Sequence, residues 1–219
     1  MHIVKTIVIF SLIALVSTGL INQPERGVSD PLASLEQQVN LTRSATKLDN
    51  DQVKTIVKIE RIIKRFNKEM PAIDRRTIAA EIYCMSVKYP NLNVDLICAT
   101  ITHESARTWH PEIVSPAGAL GLMQIMPSTG KWLAKYEGIE WTNARDVLFD
   151  PVYNIRLGTR YLSALVETFE LEGGLAAYNG GSWRAKRWLA NNKADRLLYR
   201  ETRLYVPYVL KLYDEFMDM

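Results

Sequence analysis

The sequence has little of what metal or redox chemistry requires. Its 219 residues include only two cysteines and three histidines, and these five residues do not fall at the spacing of a metal site. An excess of charge of one sign is also missing, since the net charge is +3 and the isoelectric point is near 8.8. That charge is too small to indicate a nucleic-acid partner.

Two further features are absent: internal repeats, and the alternation of apolar and polar residues that predicts β-strands. Apolar residues recur instead at helical spacing, so we expect a mostly α fold. The sequence predicts one helix that begins at Asp51, one that begins after Asp150, and five others: Arg75–Lys88, Val94–Glu104, Ser128–Tyr136, Ser182–Asn191 and Thr202–Phe216.

Cap and turn signals predict several helix ends. Asp74 is expected to cap the helix that follows Pro71, and Asp150-Pro151 predicts an N-cap with proline at the first helical position. Gly173-Gly174 predicts the end of the helix that begins after Asp150. Pro207 predicts a kink in the last helix unless it lies in the first turn of that helix.

The N-terminal residues resemble an export signal. Lys5 precedes an apolar run from Ile7 to Ile21, which is shorter than the ~20 residues of a membrane-spanning helix. This pattern predicts a secretory signal peptide at residues 1–21. Because no A-x-A cleavage site is present, an uncleaved membrane anchor formed by residues 3–21 is the alternative. In either case we expect an exported protein of the periplasm or cell envelope, which an anchor would attach to the inner membrane.

Export bears on the two cysteines. Cys84 and Cys98 fall on two successive predicted helices, and an oxidising periplasm permits a disulfide between them. The alternative is that both are small buried apolar residues. The spacing does not decide, because a disulfide depends on the geometry of the two Cβ atoms.

Glu104 is the first candidate for catalysis. It falls at the C-terminal end of a predicted helix, directly before a loop rich in proline and glycine at residues 108–127. The negative end of the helix and a partly enclosed site both raise the pKa of a carboxyl group. A glutamate that stays protonated near neutral pH can donate a proton to a glycosidic oxygen. The alternative is an ordinary surface glutamate.

Two more blocks carry candidate site residues. Residues 115–127 read SPAGALGLMQIMP, where small residues allow close backbone approach and Gln124 offers both a donor and an acceptor to a sugar. We expect Ser115 and Gln124 to face a ligand. Residues 177–181 read AYNGG, where the Tyr178 hydroxyl is a candidate to orient the catalytic carboxylate. Its alternative partner is a backbone carbonyl.

Taken together, these blocks resemble the soluble lytic transglycosylase (SLT) domain, which is related to goose-type lysozyme. The resemblance covers about residues 92–213 and includes Asn154-Ile155, Tyr161-Leu162, Glu201-Thr202-Arg203 and Tyr205-Val206. It implies a lysozyme-like helical domain with a catalytic cleft at residues 91–219, preceded by a helical extension at 51–90 and a linker at 22–50. The loop after Glu104 is two residues longer than is usual in the family.

The resemblance also implies a reaction and its residues. Glu104 would be the single catalytic acid and base that cleaves the glycan strands of peptidoglycan, with no cofactor. Hydrolysis by a muramidase of the same fold, and a non-catalytic peptidoglycan-binding scaffold, are the alternatives. No protein partner is indicated. The residues that would line the glycan cleft are Ser115, Gln124, Met126, Tyr178, Asn179 and Glu201.

Overall fold

Helices account for most of residues 50–219, the part of the chain that this computed structural model describes. The prediction of a mostly α protein is confirmed, and residues 50–219 contain no β-strand. The predicted signal or anchor segment at 1–21 and the predicted linker, except for Asn50, lie outside the described residues. The helices are α1 (50–66), α2 (Ala72–Lys88), α3 (Val94–Glu104), α4 (Pro127–Glu137), α5 (Ala144–Leu148), α6 (Pro151–Gly180), α7 (Ser182–Ala190) and α8 (Arg200–Met217), with a short 3-10 helix at Asp195–Leu197.

One hydrophobic core joins these helices. Ile62 of α1, Ile78 of α2 and Ile97 of α3 are fully buried in the same cluster as Leu157 of α6 and Val209 of α8. The predicted extension at 51–90 therefore shares its core with the rest of the described chain, and the domain boundary at residue 90 stays a prediction. No helix within 50–219 combines the length and the apolar character needed to cross a membrane.

Helix α6 lies at the centre of the fold and contacts α2, α4, α5, α7 and α8. Its predicted start is confirmed, because the Asp150 side chain accepts a hydrogen bond from the Tyr153 N–H at 2.9 Å and Pro151 occupies the first turn. The predicted Asp74 cap of α2 is wrong. Pro71 occupies the N-cap position without a side-chain hydrogen bond, so Asp74 lies inside the first turn.

The predicted end of α6 at Gly173-Gly174 is also wrong. The helix is interrupted earlier, at Glu170, whose φ of 59° is in the left-handed region, and helical structure then continues to Gly180. The two glycines allow α6 to pack closely against neighbouring residues, and they do not end the helix. A Cβ atom on Gly174 would lie 2.7 Å from the Cα of Val166, and one on Gly173 would lie 2.7 Å from Leu189.

Neither alternative for the two cysteines holds for both residues, and Pro207 lies beyond the first turn of its helix. Both cysteines are free, with Cys84 exposed and Cys98 buried, and burial raises the pKa of the Cys98 thiol well above its usual value. Cys98 therefore acts as a small apolar core residue. Pro207 lies inside α8, beyond its first turn, and the helix continues through it to Met217.

Substitution of Gly174 by alanine tests this packing. In an unconstrained helix the change is stabilising by about 0.5–1 kcal/mol. Here the new Cβ would meet the Val166 backbone, which cannot rotate away, so we expect a loss of about 1–3 kcal/mol. Thermal unfolding followed by circular dichroism measures the change, and a variant more stable than the parent would contradict the proposed contact.

Candidate active site

Glu104 is the last residue of α3 and points into an enclosed environment. Burial raises the pKa of its carboxyl group to about 8, even though the residue keeps some exposed surface. The neighbouring Tyr205 hydroxyl lowers this pKa, and the negative charge of Glu201 raises it further. The carboxyl group is therefore protonated at neutral pH, as a proton donor must be.

The loop that follows Glu104 is held by a buried indole. Ala106, Arg107 and Trp109 all have positive φ values, of 51°, 64° and 51°, which is costly for residues with a Cβ atom. Trp109 is fully buried, and its Nε1 donates to the Thr102 Oγ1 at 3.0 Å. Its backbone N–H donates to the buried Ser105 Oγ at 3.1 Å. These contacts fix the loop that directly follows Glu104.

Asn154 attaches residues 120–125, the middle of the segment 115–127, to α6. We call residues 120–125 the 120–125 block. The Asn154 side chain accepts a hydrogen bond from the Met123 N–H at 2.8 Å. It donates to the carbonyl groups of Leu120, at 2.9 Å, and Leu148, at 2.8 Å. Asn154 is fully buried, so all three hydrogen bonds are shielded from water.

Glycine is required where this block meets α6. A Cβ atom on Gly121 would lie 2.1 Å from the Asn154 Nδ2 and 2.2 Å from the Leu148 oxygen, and Gly121 has a φ of 79°. A Cβ atom on Gly158 would lie 2.4 Å from the Met123 sulfur. Close approach to α6 thus explains Gly121, whereas a Cβ atom on Gly118 would meet nothing within 4 Å.

Three predicted ligand residues lie within residues 115–127. The Gln124 Nε2 donates to the backbone oxygens of Gly121, at 2.8 Å, and Ile113, at 3.3 Å, while its Oε1 accepts no hydrogen bond from residues 50–219. Ser115 accepts a hydrogen bond from the Ala119 N–H at 3.0 Å and so closes its own turn. Met126 is 43% exposed. Gln124 and Met126 are thus available to a ligand, but the Ser115 hydroxyl already has a structural role.

Tyr178 does not orient the carboxylate as we expected. Its hydroxyl donates to the Met123 carbonyl oxygen at 2.7 Å, because the 120–125 block lies against the end of α6. Tyr178 is still close to Glu104: burial, together with the charge of Glu104, raises the pKa of the Tyr178 hydroxyl well above its usual value. The Tyr205 hydroxyl, and not that of Tyr178, is the group beside the Glu104 carboxyl group. The Tyr205 hydroxyl is buried and lacks a partner of regular hydrogen-bond geometry within residues 50–219, so it is available to Glu104.

Asn179 and Glu201 join the end of α6 to the start of α8. The Asn179 Nδ2 donates to the Glu201 carboxylate at 3.4 Å, and its Oδ1 accepts a hydrogen bond from Thr202 at 2.7 Å. Glu201 is exposed, but its charge contributes to raising the pKa of Glu104. Two other acidic residues have separate surroundings, because the Asp150 side chain caps α6 and Glu112 is exposed.

The structure therefore brings Glu104, Tyr178 and Glu201 into electrostatic contact and places Gln124 on the block that Tyr178 touches. Sequence reasoning missed the roles of Tyr205 and Asn154, although both fall in segments that carry the family resemblance. Residues 50–219 contain no cluster of His, Cys, Asp or Glu that could hold a metal ion.

Comparison with known proteins identifies the family to which the chain belongs. The sequence profile of the family described as transglycosylase SLT domain matches residues 85–197, just over half of the chain. The soluble lytic murein transglycosylase of Escherichia coli is 38% identical over 122 residues, which are 51% of this chain and 19% of that protein. A putative soluble lytic murein transglycosylase of Haemophilus influenzae is 30% identical over 185 residues, 74% of this chain and 31% of that protein.

A solved structure shows the same fold. The X-ray structure of an inactive glutamate-to-glutamine mutant of lytic transglycosylase Slt from Pseudomonas aeruginosa has a TM-score of 0.57 at 30% identity. The match covers 64% of this chain and 24% of that one. The chain thus has a lysozyme-like helical fold. It belongs to the transglycosylase SLT domain family, although it spans less than a third of the length of the soluble relatives compared here.

Substitution of Asn154 by alanine tests the attachment of the 120–125 block. It would leave the Met123 N–H and the Leu148 carbonyl without partners, and each buried unpaired group costs about 1–3 kcal/mol. It would also remove one of the two hydrogen bonds to the Leu120 carbonyl, which keeps the Ile125 N–H at 3.0 Å. We therefore expect the free energy of unfolding in urea to fall by about 3 kcal/mol or more.

The matched control is Asn143→Ala. Asn143 caps α5 with hydrogen bonds to the Arg145 and Asp146 N–H groups, and loss of such a cap costs about 1 kcal/mol. Equal losses in the two variants would mean that the three buried hydrogen bonds do not anchor the block.

Proposed function

We propose that this chain is a peptidoglycan lytic transglycosylase. It cleaves the β-1,4 bond between N-acetylmuramic acid and N-acetylglucosamine and forms a 1,6-anhydromuramoyl end. The observation that carries the proposal is Glu104, a carboxyl group that burial keeps protonated at neutral pH, since its pKa is raised to about 8. Membership of the SLT family and the names of the relatives support the same activity.

Glu104 acts first as the acid. Its proton passes to the glycosidic oxygen, the bond from that oxygen to C1 of the muramoyl ring breaks, and the N-acetylglucosamine side leaves as an alcohol. The muramoyl N-acetyl group assists from the opposite face of the ring, as in substrate-assisted glycosidases. Glu104 is then a carboxylate. Burial and the negative charge of Glu201 both disfavour this ionised form, so both favour its return to the protonated state.

Glu104 then acts as the base. It removes the proton of the muramoyl 6-hydroxyl, whose oxygen bonds to C1 and closes the anhydro ring, so Glu104 ends the cycle protonated as it began. An internal hydroxyl held near its target reaches an effective molarity of about 10⁵ M or more. This reaction needs no activated water, which is consistent with a site built on one protonated carboxyl group.

The hydrolytic muramidase is the alternative reaction at the same bond. Ordinary glycosidases use a second carboxylate, and Glu201 is the carboxylate whose charge reaches Glu104. Glu201 is exposed and accepts a hydrogen bond from Asn179. We assign it the tuning of the Glu104 pKa and contact with the glycan.

We further propose that the chain acts in the bacterial cell envelope, where its peptidoglycan substrate lies.

The Glu104→Gln variant tests the reaction. Glutamine cannot exchange a proton, so we expect product formation to fall by at least about 100-fold. Mass spectrometry of purified peptidoglycan digested by the full chain in detergent detects the 1,6-anhydromuramoyl ends. Glu140→Gln, at an exposed position, is the matched control and should retain activity. Reducing muramoyl ends would show a hydrolase instead, and products equal in the two variants would exclude Glu104 as the acid.

The Glu201→Gln variant tests the electrostatic assignment. Because the Glu201 charge raises the pKa of Glu104, its removal lowers that pKa and reduces the protonated fraction near pH 8. We expect the alkaline limb of the pH profile of kcat/KM, which reports the free enzyme, to move to lower pH. Glu140→Gln should leave the limb in place. A limb that stays fixed or moves to higher pH in Glu201→Gln would rule out this tuning.

A further inference from the structure

A surface of stacked aromatic and arginine side chains lies on α7 and just before α8. Trp183 is 64% exposed and Tyr199 is 53% exposed. The guanidinium of Arg184 lies 3.7 Å from the centroid of the Tyr199 ring, and that of Arg187 lies 4.6 Å from the centroid of the Trp183 ring. We call these four residues the aromatic–arginine patch. None of them has a role in the reaction described above.

The patch carries positive charge without a local counter-charge. Helix α7 has the sequence SWRAKRWLA, which contains three basic residues and no acidic one. Within residues 50–219, neither Arg184 nor Arg187 forms an ion pair, whereas eight other basic residues do. Stacking on an aromatic ring restricts a guanidinium but leaves its N–H groups free to bind an acceptor. The patch is thus suited to an anionic group.

The patch adjoins the candidate active site. Tyr199 is the residue before the first turn of α8, which carries Glu201. Gly181 connects α7 to the end of α6, where Asn179 donates to Glu201 at 3.4 Å. The segments that carry the patch are therefore direct chain neighbours of the segments that carry Asn179 and Glu201.

We propose that the aromatic–arginine patch binds the carboxylates of the peptide stems of peptidoglycan. This inference rests on the proposed function, because the stems hang from the muramoyl rings of the strand in the cleft. The stems carry free carboxylates, and a guanidinium binds a carboxylate with two parallel hydrogen bonds. The patch would then favour strands that keep their peptides over bare glycan.

Co-sedimentation with purified sacculi tests the proposal without turnover. The full chain in detergent carries Glu104→Gln, so that the sacculi stay intact, either alone or together with Arg184→Gln and Arg187→Gln. Each protein is mixed with untreated sacculi and with sacculi whose peptide carboxylates have been converted to amides by a carbodiimide and ammonia. The control is Arg145→Gln in the same background, because Arg145 also stacks on a ring, that of Phe149 at 5.8 Å.

We expect the double arginine substitution to weaken binding to untreated sacculi by about fivefold, because it removes two charge-assisted contacts to carboxylates at an exposed site. Binding to amidated sacculi should be weak in the parent and unchanged by the substitution. An equal loss on both materials would mean that the patch binds sugar, and no loss on either would mean that it binds neither; both results overturn the proposal. The anhydromuramoyl assay of the active chain separately decides the proposed function.

Discussion

The buried amide of Asn154 is the constraint on which the candidate site depends. One side chain on α6 satisfies the Met123 N–H and the Leu120 and Leu148 carbonyls, and glycines at 121 and 158 allow the backbone to come that close. Met123 in turn presents its carbonyl to Tyr178. The position of the 120–125 block, and with it of Gln124, follows from these contacts.

A second constraint is the electrostatic state of Glu104. Burial alone would make its carboxylate unfavourable, Glu201 adds to that effect, and the Tyr205 hydroxyl partly offsets both. This balance leaves a pKa of about 8, high enough to hold a proton at neutral pH and low enough to release it during a reaction. A general acid that must later act as a base requires a pKa near the working pH.

The sequence predicted the parts of this site that local chemistry determines. The helix that ends at Glu104 and the Asp150-Pro151 start of α6 follow from periodicity and capping. The predictions that were wrong concern residues whose contacts are set by the tertiary fold. Gly173-Gly174 marks close packing on Val166 and Leu189, which no local pattern separates from a helix end. The Tyr178 hydroxyl meets Met123 and leaves Tyr205 beside Glu104, because partners 55 or 101 residues away in sequence are set by the fold.

A direct titration of Glu104 tests the central claim. Carbon-13 NMR of the side-chain carboxyl groups, with the Glu104→Gln variant to assign the resonance, gives the pKa without substrate or turnover. We predict a midpoint near 8, because burial and the Glu201 charge outweigh the opposing effect of the Tyr205 hydroxyl. A midpoint near the ordinary value of 4.5 would mean that Glu104 is ionised at neutral pH and would contradict its assignment as the proton donor.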